Sequence, residues 1–178
     1  GKKVLCFYSD DHGRTWQRSR VVPWQGDMAW ASESKLAELP DGTIVLNSRS
    51  FVRNGSEQRL RTGAFSRDGG LSWTQLQNCP DLKTVSCNGA LLAVPHARGA
   101  NGTVLLCSVP VGPGRTRGTV YVSFDHGETW PHSKVVVPEE FAYSSLVCLP
   151  DNTIGLFYEA YGHRDIRMAR FSLEWLMQ

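Results

Sequence analysis

The stretch SRDGGLSW at residues 66–73 decides the fold of this chain, because versions of it occur three times. The other two are SDDHGRTW at residues 9–16 and SFDHGETW at residues 123–130, and each copy begins 57 residues after the one before it. All three share the frame Ser-x-Asp-x-Gly-x-Thr/Ser-Trp. A motif that returns at a fixed interval indicates a repeat architecture, in which one structural unit is used several times.

Each copy is predicted to be a turn between two strands. Its Asp can accept hydrogen bonds from backbone N–H groups, its Gly can adopt a positive φ, and its Trp can pack against a neighbouring layer. The strand-like runs that precede the copies are residues 4–8, 62–65 and 119–122. We therefore interpret the copies as structural, and we expect Asp11, Asp68 and Asp125 to point away from any functional site.

A second repeat is nested in the first. Residues 39–46 (LPDGTIVL) resemble residues 149–156 (LPDNTIGL), and residues 99–106 (GANGTVLL) are a looser copy. Each period then holds four strands, which is the blade of a β-propeller. The prediction for residues 1–178 is an all-β fold: a partial propeller of about three blades of four antiparallel strands. The chain is expected to begin at the third strand of one blade and to end near the third strand of another. The first strand of each blade lines the central axis, and missing sequence supplies the remaining blades.

Composition excludes several classes of protein. The net charge is +2 and the two signs nearly cancel, so the densest basic clusters, at residues 59–61 and 115–117, do not predict nucleic-acid binding. No apolar run approaches the length of a membrane span. Gly1 is not a natural start, and we therefore interpret the chain as a fragment or a processed chain.

The five cysteines cannot all pair with one another. Cys6, Cys107 and Cys148 lie in apolar strand-like runs and are expected to be small buried thiols. Cys79 and Cys87 flank a loop, and both a disulfide and two free thiols remain open. Neither CxxC nor Cys/His zinc spacing occurs.

Three further segments have two interpretations each. Residues 54–56 (NGS) and 101–103 (NGT) fit glycosylation acceptors, and both also fit ordinary turns. Residues 171–176 (FSLEWL) predict either one helical turn or a degenerate fourth copy of the repeat.

Polar side chains stand where the nested repeat would otherwise be apolar. The residues eight positions before and after the hairpin aspartates at positions 41 and 151 are Glu33, Arg49, Tyr143 and Glu159. Positions equidistant from a hairpin turn face each other across the strand pair. Radial repetition should therefore bring these four side chains to one mouth of the axis, and Arg115 could reach the same side.

Each candidate also has a structural interpretation. Glu33 and Arg49 could form only a cross-strand ion pair, Tyr143 could be core packing, and Arg115 and Arg117 could be loop charges. The histidines either occupy variable positions of the repeat or lack partners at metal-ligand spacing. We predict no metal site and no cofactor.

The chain resembles the C-terminal half of the catalytic domain of non-viral sialidases (neuraminidases), in which copies of the octapeptide are called Asp boxes. The segments that resemble the family's glutamate and second-arginine region, its third-arginine segment and its tyrosine segment are residues 32–49, 115–119 and 141–146. The ordered set Glu33, Arg49, Arg115 and Tyr143 is more specific than the Asp boxes, which other propellers also carry.

The resemblance implies a six-bladed propeller that acts as an exo-α-sialidase, removing terminal sialic acids with retention. In that family Tyr143 would be the nucleophile, Glu33 its base, and Arg49 and Arg115 ligands of the substrate carboxylate. Glu159 would orient the first arginine of the triad. The implied partners are sialylated glycoproteins, glycolipids and oligosaccharides.

Two family elements have no match in the sequence, namely the first arginine and the acid/base aspartate. The 178-residue chain by itself is therefore expected to show little or no turnover. Two other functions remain open: a non-catalytic Asp-box propeller that acts as an interaction module, and a trans-sialidase with the same core residues.

Overall fold

A computed structural model describes residues 3–25, 31–53, 58–160 and 162–178. Within these ranges the chain forms antiparallel sheets, and its helices are single turns at Ala100–Gly102 and Leu173–Leu176. No helix in the described ranges has the length and apolar character needed to cross a bilayer. The predicted all-β class is confirmed.

The strands form four sheets in chain order. The first sheet pairs β1 (Phe7–Tyr8) with β2 (Gln17–Arg18). The second has the order β3 (Ser34–Glu38), β4 (Ile44–Arg53), β5 (Arg59–Ser66) and β6 (Gln77–Thr84). The third has the order β7 (Ala90–Pro95), β8 (Thr103–Pro110), β9 (Thr116–Ser123) and β10 (His132–Glu140). The fourth contains β11 (Ser144–Cys148), β12 (Ile154–Ala160) and β13 (Asp165–Phe171).

Two complete blades are thus flanked by the last two strands of one blade and the first three of another, as predicted. The first strands of successive blades touch, β3 against β7 and β7 against β11. These inner strands meet because each blade buries one face against the next, and β8 in the middle is buried along its whole length. The chain is a partial β-propeller.

The three Asp boxes make the same turn. In the second box Ser66 Oγ and Ser72 N donate hydrogen bonds to Asp68 Oδ1, at 2.8 and 2.9 Å, and Ser72 Oγ donates to Oδ2 at 2.5 Å. Equivalent bonds surround the aspartates at positions 11 and 125. Gly70 N donates to Ser66 Oγ at 2.9 Å with φ +88°, a conformation that favours glycine. The boxes are therefore structural turns, as interpreted.

The boxes lie far from the predicted mouth. β9 starts beside Arg115 and ends at Ser123, the first residue of the third box, so its eight residues separate the two. At about 3.3 Å per residue this strand spans roughly 25 Å. Asp125 therefore lies at the opposite end of β9 from the candidate site.

The box tryptophans pack against the preceding sheet where this chain has one. Trp73 is 7% exposed, in a cluster with Val22 next to the first sheet, and Trp130 is 4% exposed against Val45 of the preceding blade. Trp16 is 64% exposed, because no sheet of this chain precedes β1. The predicted packing thus holds for two of the three copies.

All five cysteines are free, so Cys79 and Cys87 do not form a disulfide. Cys107 is fully buried as expected. Cys6 and Cys148 are only half-buried, and the expectation of buried thiols was wrong for both. They lie at the outer sheets of the chain, where one face has no neighbouring sheet in this chain.

The remaining ambiguous segments have different outcomes. Residues 171–176 end β13 and form a helical turn, α1 (Leu173–Leu176), in which Ser172 Oγ accepts the N–H of Trp175 at 3.2 Å. Asn101 lies in an exposed turn with φ +49°. Asn54 lies outside the described residues.

Candidate active site

The β3–β4 hairpin places Glu33 opposite Arg49. Ser34 pairs with Ser48, and one step further Arg49 N donates to Glu33 O at 2.9 Å. The two side chains therefore leave the same face of the hairpin end. Arg49 Nη1 donates to Glu33 Oε2 at 2.9 Å, which is the ion pair that the structural interpretation anticipated.

The β11–β12 hairpin repeats this geometry with Tyr143 and Glu159. Glu159 N donates to Tyr143 O at 3.0 Å, in register with the strand pairs that follow. Tyr143 Oη then donates a short hydrogen bond to Glu33 Oε1, across 110 residues of sequence. The structure thus brings Glu33, Arg49 and Tyr143 together at one mouth of the axis.

Arg115 reaches this group from the segment before β9. Its Cζ lies 5.3 Å from the centroid of the Tyr143 ring, a distance at which a cation is attracted to an aromatic face. Gly118 leaves room for the Phe141 ring, because a Cβ there would lie 2.2 Å from that ring. Arg117 is exposed and lines a different cavity. Of the two arginines, Arg115 faces the site.

Ser86 contacts both arginines of the site, and no sequence pattern predicted this contact. Its Oγ accepts a hydrogen bond from Arg49 Nη2 at 2.7 Å, and its carbonyl oxygen accepts one from Arg115 Nη2 at 3.4 Å. Ser86 lies in the segment between β6 and β7, outside both repeats. A lone serine in a connecting segment carries no pattern that could have identified it.

Arg61 supports the same segment from below. It belongs to the densest basic cluster of the sequence, yet it is only 1% exposed. Its Nε donates a short hydrogen bond to Asn47 Oδ1, and its Nη1 donates to Cys87 O at 3.4 Å. Arg61 pairs with Arg49 in the β4–β5 register. Arg61 is therefore the buried neighbour of Arg49, and it bonds to Cys87, which follows Ser86 in the chain.

Glu159 and His163 form a second group beside Arg115. Glu159 Oε2 lies 2.6 Å from His163 Nδ1 and accepts the N–H of Tyr143 at 3.4 Å. His163 Nε2 lies 3.3 Å from Arg115 Nη1. The sequence did not predict a role for His163, because it lacks partners at metal-ligand spacing and its contact Arg115 lies 48 residues away. In the described ranges no group of three or more His, Cys, Asp or Glu side chains could hold a metal.

Hydrogen bonds set the ionisation of the central pair. Burial alone would raise the pKa of Glu33, but the hydrogen bonds from Tyr143 and Arg49 outweigh burial, and the pKa lies below its ordinary value. The same bond to Glu33, aided by burial, raises the pKa of Tyr143. Burial opposes the charge of Arg49, yet its bond to Glu33 leaves the pKa of Arg49 raised. The resting pair is a neutral phenol that donates to a carboxylate.

The arrangement suits one kind of chemistry. Planar guanidinium groups bind a carboxylate through paired, charge-assisted hydrogen bonds. Arg49 and Arg115 stand on either side of a phenol whose proton already faces a carboxylate acceptor. A nucleophile next to a base within hydrogen-bond reach is the signature of covalent catalysis.

Comparisons with known proteins agree with this geometry. A family model described as BNR repeat-like domain matches residues 1–157. The sialidase of Micromonospora viridifaciens is 42% identical over 178 residues, covering 98% of this chain and 26% of that protein. The solved Hadza microbial sialidase Hz136 gives a TM-score of 0.75 at 29% identity, over 96% of this chain and 32% of that one. The intramolecular trans-sialidase from Ruminococcus gnavus gives 0.74 at 25% identity, over 97% and 38%.

The chain spans about a quarter of the length of the curated relatives it matches. The family model nevertheless covers most of this chain, and the named relatives align along nearly all of it. The chain belongs to the BNR repeat-like domain family and is a member of the sialidase family.

Proposed function

We propose that the protein carrying this chain is an exo-α-sialidase, which hydrolyses terminal sialic acids from glycoconjugates with retention of configuration. The observation that carries the proposal is the hydrogen bond from Tyr143 to Glu33 between two arginines. Its substrates are sialylated glycoproteins, glycolipids and oligosaccharides.

The charge of the substrate explains why a tyrosine suits this site. Sialic acid carries a carboxylate on its anomeric carbon, and in this proposal Arg49 and Arg115 bind it. A carboxylate nucleophile, as most glycosidases use, would be repelled by that neighbouring negative charge. The neutral phenol of Tyr143 avoids this repulsion.

The first chemical step joins Tyr143 to the sugar. The Tyr143 oxygen attacks the anomeric carbon, its proton passes to Glu33, and the bond to the leaving group breaks. The leaving oxygen needs a proton from an acid, which the family resemblance assigns to an aspartate with no match in this chain. Water then attacks the anomeric carbon from the side opposite the tyrosyl oxygen and gives a proton to that aspartate, while the bond to Tyr143 breaks. Glu33 returns its proton to the Tyr143 oxygen, and the two inversions give retention.

Substrate binding should also prepare the base. In the resting site the hydrogen bond from Arg49 helps to hold the pKa of Glu33 below its ordinary value. A substrate carboxylate that binds Arg49 competes for that guanidinium and offsets its charge. Glu33 then becomes a better acceptor for the Tyr143 proton at the moment when the proton must move.

Covalent labelling tests the proposal. The complete protein, treated with a mechanism-based fluorinated sialoside, should gain one sugar on Tyr143, read by peptide mass spectrometry. Tyr143→Phe should abolish the label and lower turnover by at least about a thousandfold, while Glu33→Gln should slow labelling by about a hundredfold or more. Tyr121→Phe is a matched control, since its hydroxyl bonds to Lys83 O away from the site. Labelling elsewhere, or full turnover by Tyr143→Phe, contradicts the mechanism.

A trans-sialidase is the second candidate. It is favoured by the relation to the Ruminococcus gnavus protein, an intramolecular trans-sialidase that is 25% identical. Hydrolysis yields sialic acid with a free reducing end, whereas transfer yields a product without one. Product analysis by NMR therefore separates the two, and absence of any turnover by the complete protein would instead favour a non-catalytic interaction module.

A further inference from the structure

We propose that His163 is a positioning residue that holds Arg115 ready for the substrate carboxylate and makes this binding sensitive to pH. The inference rests on the proposed function in one respect, namely that Arg115 binds a carboxylate. The contacts that carry it belong to the chain itself.

The two ring nitrogens of His163 have partners of opposite kind. Nδ1 lies 2.6 Å from a carboxylate oxygen of Glu159. An ionised carboxylate can only accept a hydrogen bond. Nε2 lies 3.3 Å from Nη1 of Arg115, which can only donate. One state of imidazole satisfies both contacts: the neutral ring with its proton on Nδ1 and a lone pair on Nε2.

The turn that carries His163 is held in place. His163 has φ +69°, in the left-handed region that is uncommon for residues other than glycine. Gly162 N donates to Glu140 Oε2 at 2.9 Å, and Arg164 N donates to Ala160 O at 3.2 Å. These bonds tie the turn to β10 and to the end of β12, so the ring is directed at Arg115 by the fold.

Arg115 depends on this neutral partner. In the described ranges no carboxylate forms an ion pair with it, and its other hydrogen bond, to Ser86 O, is 3.4 Å long. Arg49, in contrast, is already paired with Glu33. A neutral acceptor fixes the guanidinium without pairing it directly with a carboxylate, and Arg115 therefore remains available to an incoming carboxylate.

Protonation of His163 should undo this arrangement. A proton on Nε2 would turn the acceptor into a donor that faces Arg115, so the hydrogen bond is lost and two positive charges meet. The other charged groups around the ring are Glu159 on β12, Glu140 at the end of β10, and Arg164 and Asp165 on its own turn. His163 is about half exposed and borders a cavity of about 210 Å³, so it can exchange protons with solvent.

The test measures steady-state kinetics of the complete protein and three variants between pH 5 and 8. His163→Asn tolerates the left-handed backbone and can still donate to Glu159, but it is too short to reach Arg115. We expect KM for a sialoside to rise about tenfold, with kcat within about twofold. His163→Gln keeps an acceptor at the longer reach, so KM at pH 7 should stay near the wild-type value and should no longer rise at low pH.

His12→Ala is the matched control. His12 is also an exposed histidine with positive φ, +60°, but it lies in the first Asp box. It should leave KM and its pH dependence unchanged. The proposal is overturned if the KM of His163→Asn equals that of the wild type at every pH, or if its kcat falls while its KM is unchanged.

A second measurement separates this inference from the proposed function. The ¹⁵N shifts of the His163 ring report its tautomer without any substrate, and we expect the proton on Nδ1 at pH 8. A proton on Nε2 overturns the inference even if the protein is a sialidase. If the expected tautomer is found but calorimetry detects no binding of sialic acid, the proposed function fails and the His163–Arg115 contact stands.

Discussion

At the residue scale, the two arginines of the mouth differ in what they contact. Glu33 and Arg49 offset each other as an ion pair, whereas Arg115 contacts neutral acceptors and an aromatic face. A second carboxylate, Glu159, lies on the other side of the His163 ring from Arg115, with its Oε2 2.6 Å from His163 Nδ1. In the proposed function Arg115, which has no direct ion pair among the described residues, is therefore the arginine available to a substrate carboxylate, beside the neutral phenol of Tyr143.

Arg49→Lys tests whether paired hydrogen bonds matter beyond charge. Lysine keeps the positive charge but is a point donor, so it cannot serve Glu33, Ser86 and a carboxylate in one plane. We expect kcat/KM for a sialoside to fall about a hundredfold in the complete protein. Arg117→Lys, at the exposed arginine two residues from Arg115, should change it less than about threefold. Equal effects of the two substitutions would refute the assignment of Arg49.

Tyr143→Phe tests the cause of the low pKa of Glu33. The hydrogen bond from Tyr143 is the largest influence that lowers this pKa, against the opposing effect of burial. Without it the pKa of Glu33 should rise, so the carboxylate should take up its proton at a higher pH than in the wild type. A carboxyl ¹³C NMR titration, assigned with Glu33→Gln, measures the shift. Tyr8→Phe, whose hydroxyl contacts Gln17 far from the mouth, should leave the Glu33 titration unchanged.

At the element scale, the sequence predicted what the repeats encode. The boxes, the hairpins and their register follow from local turn chemistry and strand alternation, which return in each blade, and the boxes return every 57 residues. Counting from the hairpin aspartates therefore placed Glu33 opposite Arg49 and Tyr143 opposite Glu159, as the backbone hydrogen bonds show. The roles of these side chains in catalysis remain predictions.

The contacts made by the connecting segments could not be predicted, because these segments belong to neither repeat. Ser86 meets Arg49 across 37 residues, and His163 meets Arg115 across 48. No periodicity or spacing links such pairs, since their contact depends on how two blades sit against each other. The burial of Arg61 could not be predicted for the same reason, because it depends on Cys87 and Gly89 of the segment between β6 and β7, which lie against its guanidinium.

Asp68→Asn tests the Asp box as a stabilising element. Hydrogen bonds from Ser72 and Ser66 lower the pKa of Asp68 to about 2. A carboxyl whose pKa is lowered by folding stabilises the fold at any pH above its ordinary pKa of 3.8. This contribution is lost as the pH falls towards 2. Asp68→Asn should therefore lower the melting temperature by several degrees at pH 7 and make little difference near pH 2. Asp10→Asn, at a variable position of the first box, should leave the melting temperature within about a degree.

At the scale of the whole molecule, each blade is stabilised by its neighbour. The largest apolar clusters span pairs of sheets: one joins the second and third blades, and another joins the third and fourth. The active-site group likewise draws Glu33 and Arg49 from one blade, Arg115 from the next and Tyr143 from the one after. The geometry of the mouth is therefore a property of the assembled ring, and it depends on the packing between blades.

Trp16 provides a test of that assembly. Trp73 and Trp130 pack against the sheet before their own, and Trp16 occupies the same position in the first box. If a blade from the remaining sequence packs there, Trp16→Ala in the complete protein should cost about 3–5 kcal/mol, as expected for Trp73→Ala. Urea unfolding measures both, and acrylamide should quench Trp16 no better than the other two. A cost within about 0.5 kcal/mol, as for an exposed side chain, would show that nothing covers Trp16, and the ring would have to close in another way.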